Sequence, residues 1–213
     1  LVCTDVIYLE QKLMKLIWLD DDGLLMAATR NGPGILLRVK SCVIPAEFGP
    51  KLCTLQLPVG SAMRWINASC LCSPAENSSS GLDPLLIVGT RDGGLYTFRI
   101  NLKELHDATL KPVWSLEACH GRGGCTAVLC LPPSNASDNM SAEVISCGRT
   151  QGELRFWKVH LTSGSLVLRS LLPSSPSLTW VERFYAVDDG RLFVLGFQSV
   201  SIFSLLFKKF NHY

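Results

Sequence analysis

Charge is scarce in this 213-residue chain. Only 18% of residues are Asp, Glu, Lys or Arg, and the net charge is +2. A chain so close to neutral is not held on nucleic acid by its overall charge, so any such binding needs a local patch. No stretch reaches the roughly 18 apolar residues that a membrane helix requires, which excludes helical membrane spans. The usual marks of catalysis are missing as well. There is no G-x-S-x-G elbow. Gly121-Arg-Gly-Gly124 is glycine-rich, but no Lys-Ser/Thr follows, so it reads as a tight turn and not as a phosphate cradle. Histidine occurs only at His106, His120, His160 and His212, too few to define a triad without free choice of partners. No C-x-x-C pair exists to hold zinc. The expectation is a non-enzyme with no catalytic residue, no metal and no cofactor of its own.

Cysteine is plentiful by contrast, at nine residues: Cys3, Cys42, Cys53, Cys70, Cys72, Cys119, Cys125, Cys130 and Cys147. The number is odd and most lie in apolar runs, which fits reduced thiols buried as small hydrophobes. N-x-S/T sequons at Asn67, Asn77, Asn135 and Asn139 point the other way, toward secretion, but the motif is short and common. The acidic runs Asp20-Asp-Asp22 and Asp188-Asp189 each precede glycine between two strand candidates, so they read as solvated hairpin turns and not as a cation site.

One unit recurs along the chain: an apolar strand ending in a small residue, a polar turn, then an alternating strand. The copies are Leu24-Leu-Met-Ala-Ala28 with Ile35 to Val39, and Leu85-Leu-Ile-Val-Gly89 with Leu95 to Ile100. They continue with Val144-Ile-Ser-Cys-Gly148 with Glu153 to Val159, and Leu192-Phe-Val-Leu-Gly196 with Val200 to Leu205. Anchored on Ala28, Gly89, Gly148 and Gly196, the gaps are 61, 59 and 48 residues. The two longer gaps hold polar inserts, Pro74 to Asp83 and Pro132 to Ser141, whose removal brings the period near the ~40–45 residues of a propeller blade. A further strand candidate precedes each unit (Leu13 to Leu19, Met63 to Leu71, Cys125 to Leu131, Leu178 to Val187). Another follows three of them (Leu52 to Leu57, Val113 to Leu116, Leu166 to Leu172). Asn101 to Thr109 has the pattern of a single helical turn linking blades.

Four short strands per unit predict an all-β fold, a propeller fragment of about four four-stranded blades. The blade units span about 12–57, 58–116, 117–172 and 173–207, with residues 1–11 ending a preceding blade. Radial packing buries both faces of a sheet, which explains why Leu85 to Val88 is apolar at every position. Arg30, Arg91 and Arg149 fall in the middle turn of three successive units, and Arg122 in the connection before a first strand. These four arginines are the candidate RNA- or partner-binding residues, placed on one rim and able to grip phosphates in bidentate fashion. Arg155, Lys158 and His160 share one strand, where alternation puts Arg155 and Trp157 on the same face, with Trp157 in the blade core.

The units resemble WD repeats in degenerate form. Asp92 takes the turn position, Trp157 the tryptophan position, and His120-Gly121 reverses the expected dipeptide. Taken in order, Arg64-Trp65, His120-Gly-Arg-Gly-Gly-Cys-Thr-Ala-Val128, Cys147-Gly-Arg149, Thr179-Trp-Val-Glu182 and Phe193-Val-Leu-Gly-Phe197 resemble the WD-repeat proteins that partner an FtsJ-like RNA methyltransferase. This resemblance covers about Lys12 to Phe207. It implies a non-catalytic cytoplasmic scaffold that helps its partner methylate the ribose 2′-hydroxyl at the tRNA wobble position. S-adenosylmethionine would belong to the partner enzyme, with tRNA a further ligand and a serine/threonine kinase a further partner. The other class of function is a WD-repeat scaffold for proteins only, in signalling or growth control.

Overall fold

The computed structural model describes residues 11–20, 23–30, 33–38, 51–58, 64–74, 81–101, 108–131, 140–149, 153–172, 181–187, 191–196 and 200–204. They form sixteen strands in four sheets, all pairings antiparallel except one. The first sheet runs β1 (Leu13–Trp18), β2 (Leu24–Thr29), β3 (Gly34–Arg38), β4 (Lys51–Leu55). The second has β5 (Ile66–Cys72), β6 (Leu85–Thr90), β7 (Leu95–Arg99) and, at its outer edge, β9 (Trp114–Leu116). The third runs β10 (Cys125–Cys130), β11 (Ser141–Gly148), β12 (Leu154–His160), β13 (Leu166–Leu172). Three described strands make the fourth sheet: β14 (Val181–Val187), β15 (Arg191–Gly196) and β16 (Val200–Ser204).

The remaining strand, β8 (Ala108–Leu110), takes up the last residues of the segment expected to make a helical turn, whose residues 102–107 lie outside the described residues. Residues 108–110 are extended and pair in parallel with β4 of the first sheet. The physical reason is the open edge of β4. Its outward N–H and C=O groups need partners, and the chain leaving the second sheet passes close enough to supply them. Gln56 N–H extends the ladder to the Leu110 carbonyl at 2.9 Å.

Alternate residues of the second strands β6 and β11 serve two different interfaces. Leu85 and Ile87 pack with Cys125, Val128, Val144 and Trp157 of the third sheet. Leu86 and Val88 turn the other way, onto Met26, Ala28, Leu36 and Leu55 of the first. Ile145 and Cys147 meet Val181, Phe184, Leu192 and Val194 of the fourth sheet in the same manner. An unbroken apolar run is therefore what a doubly covered strand demands, each large side chain contributing about 1.5–3 kcal/mol on burial.

A β-bulge recurs near the start of the first strand in all four sheets. The register slips between Leu13 and Lys15, Ile66 and Ala68, Cys125 and Ala127, and Val181 and Arg183. Each slip leaves one residue (Met14, Asn67, Thr126, Glu182) without a cross-strand partner and increases the local twist. The bulge aligns the four sheets residue by residue. Ala28 pairs with Lys15, Gly89 with Ala68, Cys147 with Ala127 and Leu195 with Arg183. The anchors Gly148 and Gly196 are thus one residue late relative to Ala28 and Gly89, and the true gaps are 61, 58 and 48 residues. Small residues occupy either of two adjacent positions opposite the bulge, so residue size alone misplaces the frame.

A candidate binding rim and an axial groove

The first strands lie against one another, β1 on β5, β5 on β10 and β10 on β14, and their bulges and the turns before them form one rim. That rim has a repeated backbone signature. The residue after each second strand donates its N–H to the carbonyl just before the first strand: Arg30 to Lys12 at 2.9 Å, Arg91 to Trp65 at 2.9 Å, and Arg149 to Gly124 at 3.2 Å. Three of the four arginines singled out in the sequence therefore occupy equivalent points on one rim. Arg122 lies in the 3₁₀ turn Gly121–Gly123, in the loop that receives the Arg149 bond, and its side chain lies outside the described residues. Their surroundings differ. Arg30 is exposed, whereas Arg91 and Arg149 are half-buried. The Arg91 guanidinium donates from Nη1 to the Gly123 carbonyl at 2.9 Å, so it braces the neighbouring loop.

Two turns interlock at the boundary between the second and third sheets. His120 N–H donates to the Gly93 carbonyl at 3.0 Å, and Gly94 N–H donates to Thr90 Oγ1 at 3.0 Å. Gly93 has φ +93° and Gly124 φ +76°. A Cβ on Gly93 would run into the Gly121 carbonyl, and one on Gly124 into the Arg91 carbonyl. Glycine is required at both places by backbone angle and by close approach.

Beneath the rim lie two polar networks. In the third sheet, Ser146 Oγ sits 2.8 Å from His120 Nε2 and accepts a 2.7 Å hydrogen bond from Trp157 Nε1, all three buried. Burial, reinforced by the nearby Arg155 charge, pushes the His120 pKa down to about 3, so the ring is neutral. In the second sheet the places of Ser146 and Trp157 hold the apolar Val88 and Phe98, and the polar network is an ionic one built from other positions. Arg64 Nε donates to Asp92 Oδ2 at 2.7 Å, its Nη2 pairs with Glu117, and its guanidinium lies 5.9 Å above the Tyr96 ring centre. Thr90 Oγ1 donates to Asp92 Oδ1 at 2.6 Å, and Tyr96 OH to Glu117 Oε1 at 2.9 Å. Burial opposes the Arg64 charge, but the Asp92 hydrogen bond and the surrounding negative groups outweigh it and raise the pKa. Reading the sequence located Asp92, His120 and Trp157 but missed Ser146 and the role of Arg64. A hydroxyl two residues before the closing glycine was the available signal for Ser146.

The inner strands also line an open groove of about 460 Å³, bordered by Lys15, Trp18, Ser69, Glu182, Arg183 and Tyr185 among others. Lys15 Nζ donates to the Asn67 carbonyl at 2.8 Å, and burial lowers its pKa, partly offset by Glu182. Asn67 spends its own side-chain amide on the Cys125 carbonyl at 2.9 Å, which makes this sequon a blade contact and not an open glycan acceptor. The other three sequons lie outside the described residues, as do Asp21, Asp22, Asp188 and Asp189. Asp20 Oδ1 accepts the Leu24 N–H at 2.7 Å, which closes the hairpin turn. Among the described residues no group of three potential metal ligands is found, no disulfide links the cysteines, and no helix is long and apolar enough to cross a membrane.

Stacked antiparallel sheets meeting along their first strands define a β-propeller fragment. No protein-family model matches the chain, and no curated protein sequence is significantly similar to it. Among solved structures it is similar to Sqt1 of Chaetomium thermophilum, a structure with the N-terminus of ribosomal protein L10 bound. The TM-score is 0.57 and the identity 18%, over 90% of this chain and 43% of that one. It also overlaps the WD40 domain of Neurospora crassa Pan2, with TM-score 0.48 and 12% identity over 91% of this chain and 50% of that one. The chain spans half or less of the length of either.

Proposed function

We propose that this chain is part of a non-catalytic propeller scaffold whose arginine-bearing rim positions an RNA against a partner enzyme. The observation that carries the reading is the equivalence of Arg30, Arg91 and Arg149, held at the same rim position by the same backbone bond in three successive sheets. The finer reading rests on the order of segments from Arg64-Trp65 to Phe193-Val-Leu-Gly-Phe197, which resembles the middle region of WD repeat-containing protein 6. On that reading the partner is a cytoplasmic FtsJ-like methyltransferase that brings its own S-adenosylmethionine and modifies the 2′-hydroxyl of the tRNA wobble nucleotide, with a serine/threonine kinase as a further partner. The scaffold acts by raising effective concentration and fixing orientation. The division into blade units 12–57, 58–116, 117–172 and 173–207 belongs to the same proposal.

The test is tRNA binding by the intact protein as a function of salt. Arg30→Glu and Arg149→Glu together should weaken binding across tRNA sequences. They should also flatten the salt dependence, its logarithmic slope falling by about one for each phosphate no longer gripped. Arg91→Glu is the wrong probe, because it also unlocks the loop at Gly123. Salt-insensitive binding, or co-purification without any methyltransferase, overturns the RNA reading. A scaffold for proteins alone is the second reading. It is favoured by the bracing role of Arg91, which leaves fewer guanidinium donors for phosphate, and it matches Sqt1, whose structure has a ribosomal-protein terminus bound.

A further inference from the structure

Three thiols meet across the boundary between the second and third sheets. Cys70 and Cys72 lie two residues apart on β5, so they share its face toward the third sheet, and both belong to the core formed there. Cys130 reaches back from β10 and packs against that core. In this core the Cys72 side chain lies near the thiols of both Cys130 and Cys70. Packing alone does not call for sulfur at these places. In the frame set by the bulges, Cys70 corresponds to Ile17, Leu129 and Tyr185, Cys72 to Leu19 and Leu131, and Cys130 to Trp18, Leu71 and Ala186. None of those positions carries sulfur. The thiols concentrate where two blades touch.

Access within the trio is unequal. Cys72 has no exposed surface, whereas Cys130 is half-buried and lines the axial groove beside Cys70. A small reagent in the groove reaches Cys130 before Cys72, which is buried in the core that Cys130 packs against. We propose that Cys130 and Cys72 form a redox pair, an oxidation site at which a low-molecular-weight disulfide such as oxidised glutathione creates a covalent staple between the two blades. The Cys130 thiolate attacks one sulfur of the oxidised glutathione after losing its proton to solvent. The glutathione thiolate thus expelled takes up a proton. The Cys72 sulfur then gives up its proton, attacks the Cys130 sulfur of the mixed disulfide and releases the second glutathione. Two protein thiols and one oxidised glutathione become one protein disulfide and two reduced glutathiones, so two electrons pass from protein to reagent. The neighbouring thiols of Cys130 and Cys70, together with burial, hold the Cys72 thiol well above the ordinary cysteine range. Cys72 therefore acts as the resolving thiol, and closure of the staple is the slower step.

The experiment treats the intact protein with oxidised glutathione, blocks remaining thiols in acid, digests without reductant and maps linked peptides by mass. The expected product joins the Cys72 and Cys130 peptides with the loss of two hydrogens, is reversed by dithiothreitol, and raises the thermal unfolding midpoint. Cys70→Ser should keep the link and Cys130→Ser should lose both link and midpoint rise. Should a variant fail to fold, the unmodified protein decides alone. Both thiols remaining open to alkylation, a glutathione adduct that persists on Cys130, or a link between Cys130 and Cys70 would each overturn the proposal.

Discussion

The His120 ring leaves the loop before β10 and ends 2.8 Å from Ser146 Oγ on β11, with both residues buried. Through that hydroxyl, which also accepts the Trp157 indole N–H, a connection between blades is tied to the strands of the next blade. Ser146→Ala removes the shared partner of two buried polar groups. An orphaned buried group costs roughly 1–3 kcal/mol, so a loss of about 2–4 kcal/mol is expected in denaturant titration of the intact protein. A change below about 0.5 kcal/mol would show that the hydroxyl holds nothing together.

The same histidine makes stability depend on pH. Its ordinary pKa of 6.5 falls to about 3 in the folded protein, chiefly through burial. Between those values the unfolded chain binds the proton and the folded chain does not, so acidification favours unfolding. Stability is therefore full above pH 6.5 and drains away toward pH 3, with a limiting slope of about 1.4 kcal/mol per pH unit. His120→Gln should be less stable at neutral pH yet decline more gently between pH 6 and 4. Parallel pH profiles for the two proteins would refute this assignment.

Gly93 and Gly81 both have positive φ, but only Gly93 lies against another backbone. Gly81→Ala meets nothing within 4 Å and should cost about 1 kcal/mol from backbone conformation alone. Gly93→Ala must also push the Gly121 carbonyl away, and should cost about 2–4 kcal/mol and weaken protection of the His120 amide in hydrogen exchange. Equal costs at the two glycines would mean that the interlocked turns do not hold the blades in place.

Leu16 occupies the place that Val128 and Phe184 take in the third and fourth sheets, where each faces the preceding blade. Those two are 8% and 5% exposed, while Leu16 is 52% and its strand neighbour Trp18 58%. An uncovered blade face of this kind drives association. Residues 1–213 expressed alone should self-associate, and Leu16→Lys with Trp18→Lys should raise the monomer fraction in analytical ultracentrifugation. An unmodified chain that stays monomeric at high concentration would remove the basis for this prediction.

Most of the strands were legible because a doubly covered strand leaves an unmistakable trace: Leu85 to Val88 must be apolar throughout, and glycine must close the turns. The Asp92 turn and the Trp157 core position were legible for the same local reasons. The extended pairing of Ala108–Leu110 was not legible, because it takes its conformation from the edge of β4, more than fifty residues away. The repeat frame slipped by one at Gly148 and Gly196 because a bulge is a property of two paired strands and leaves no residue signature in either.

What the amino-acid order determined unaided was periodic: where strands start and stop, which of them are covered on both faces, and that arginines return at matching turns. Those features follow from steric and hydration preferences acting over a few neighbouring residues. What the tertiary structure alone decided was partnership: that Arg91 spends its guanidinium on Gly123, that Ser146 joins His120 to Trp157, and that Cys72 and Cys130 share one core. Each of these pairs or groups is brought together by sheets stacking side by side or by strands pairing within one sheet. Such contacts depend on the chain's path through space, which local preference does not encode.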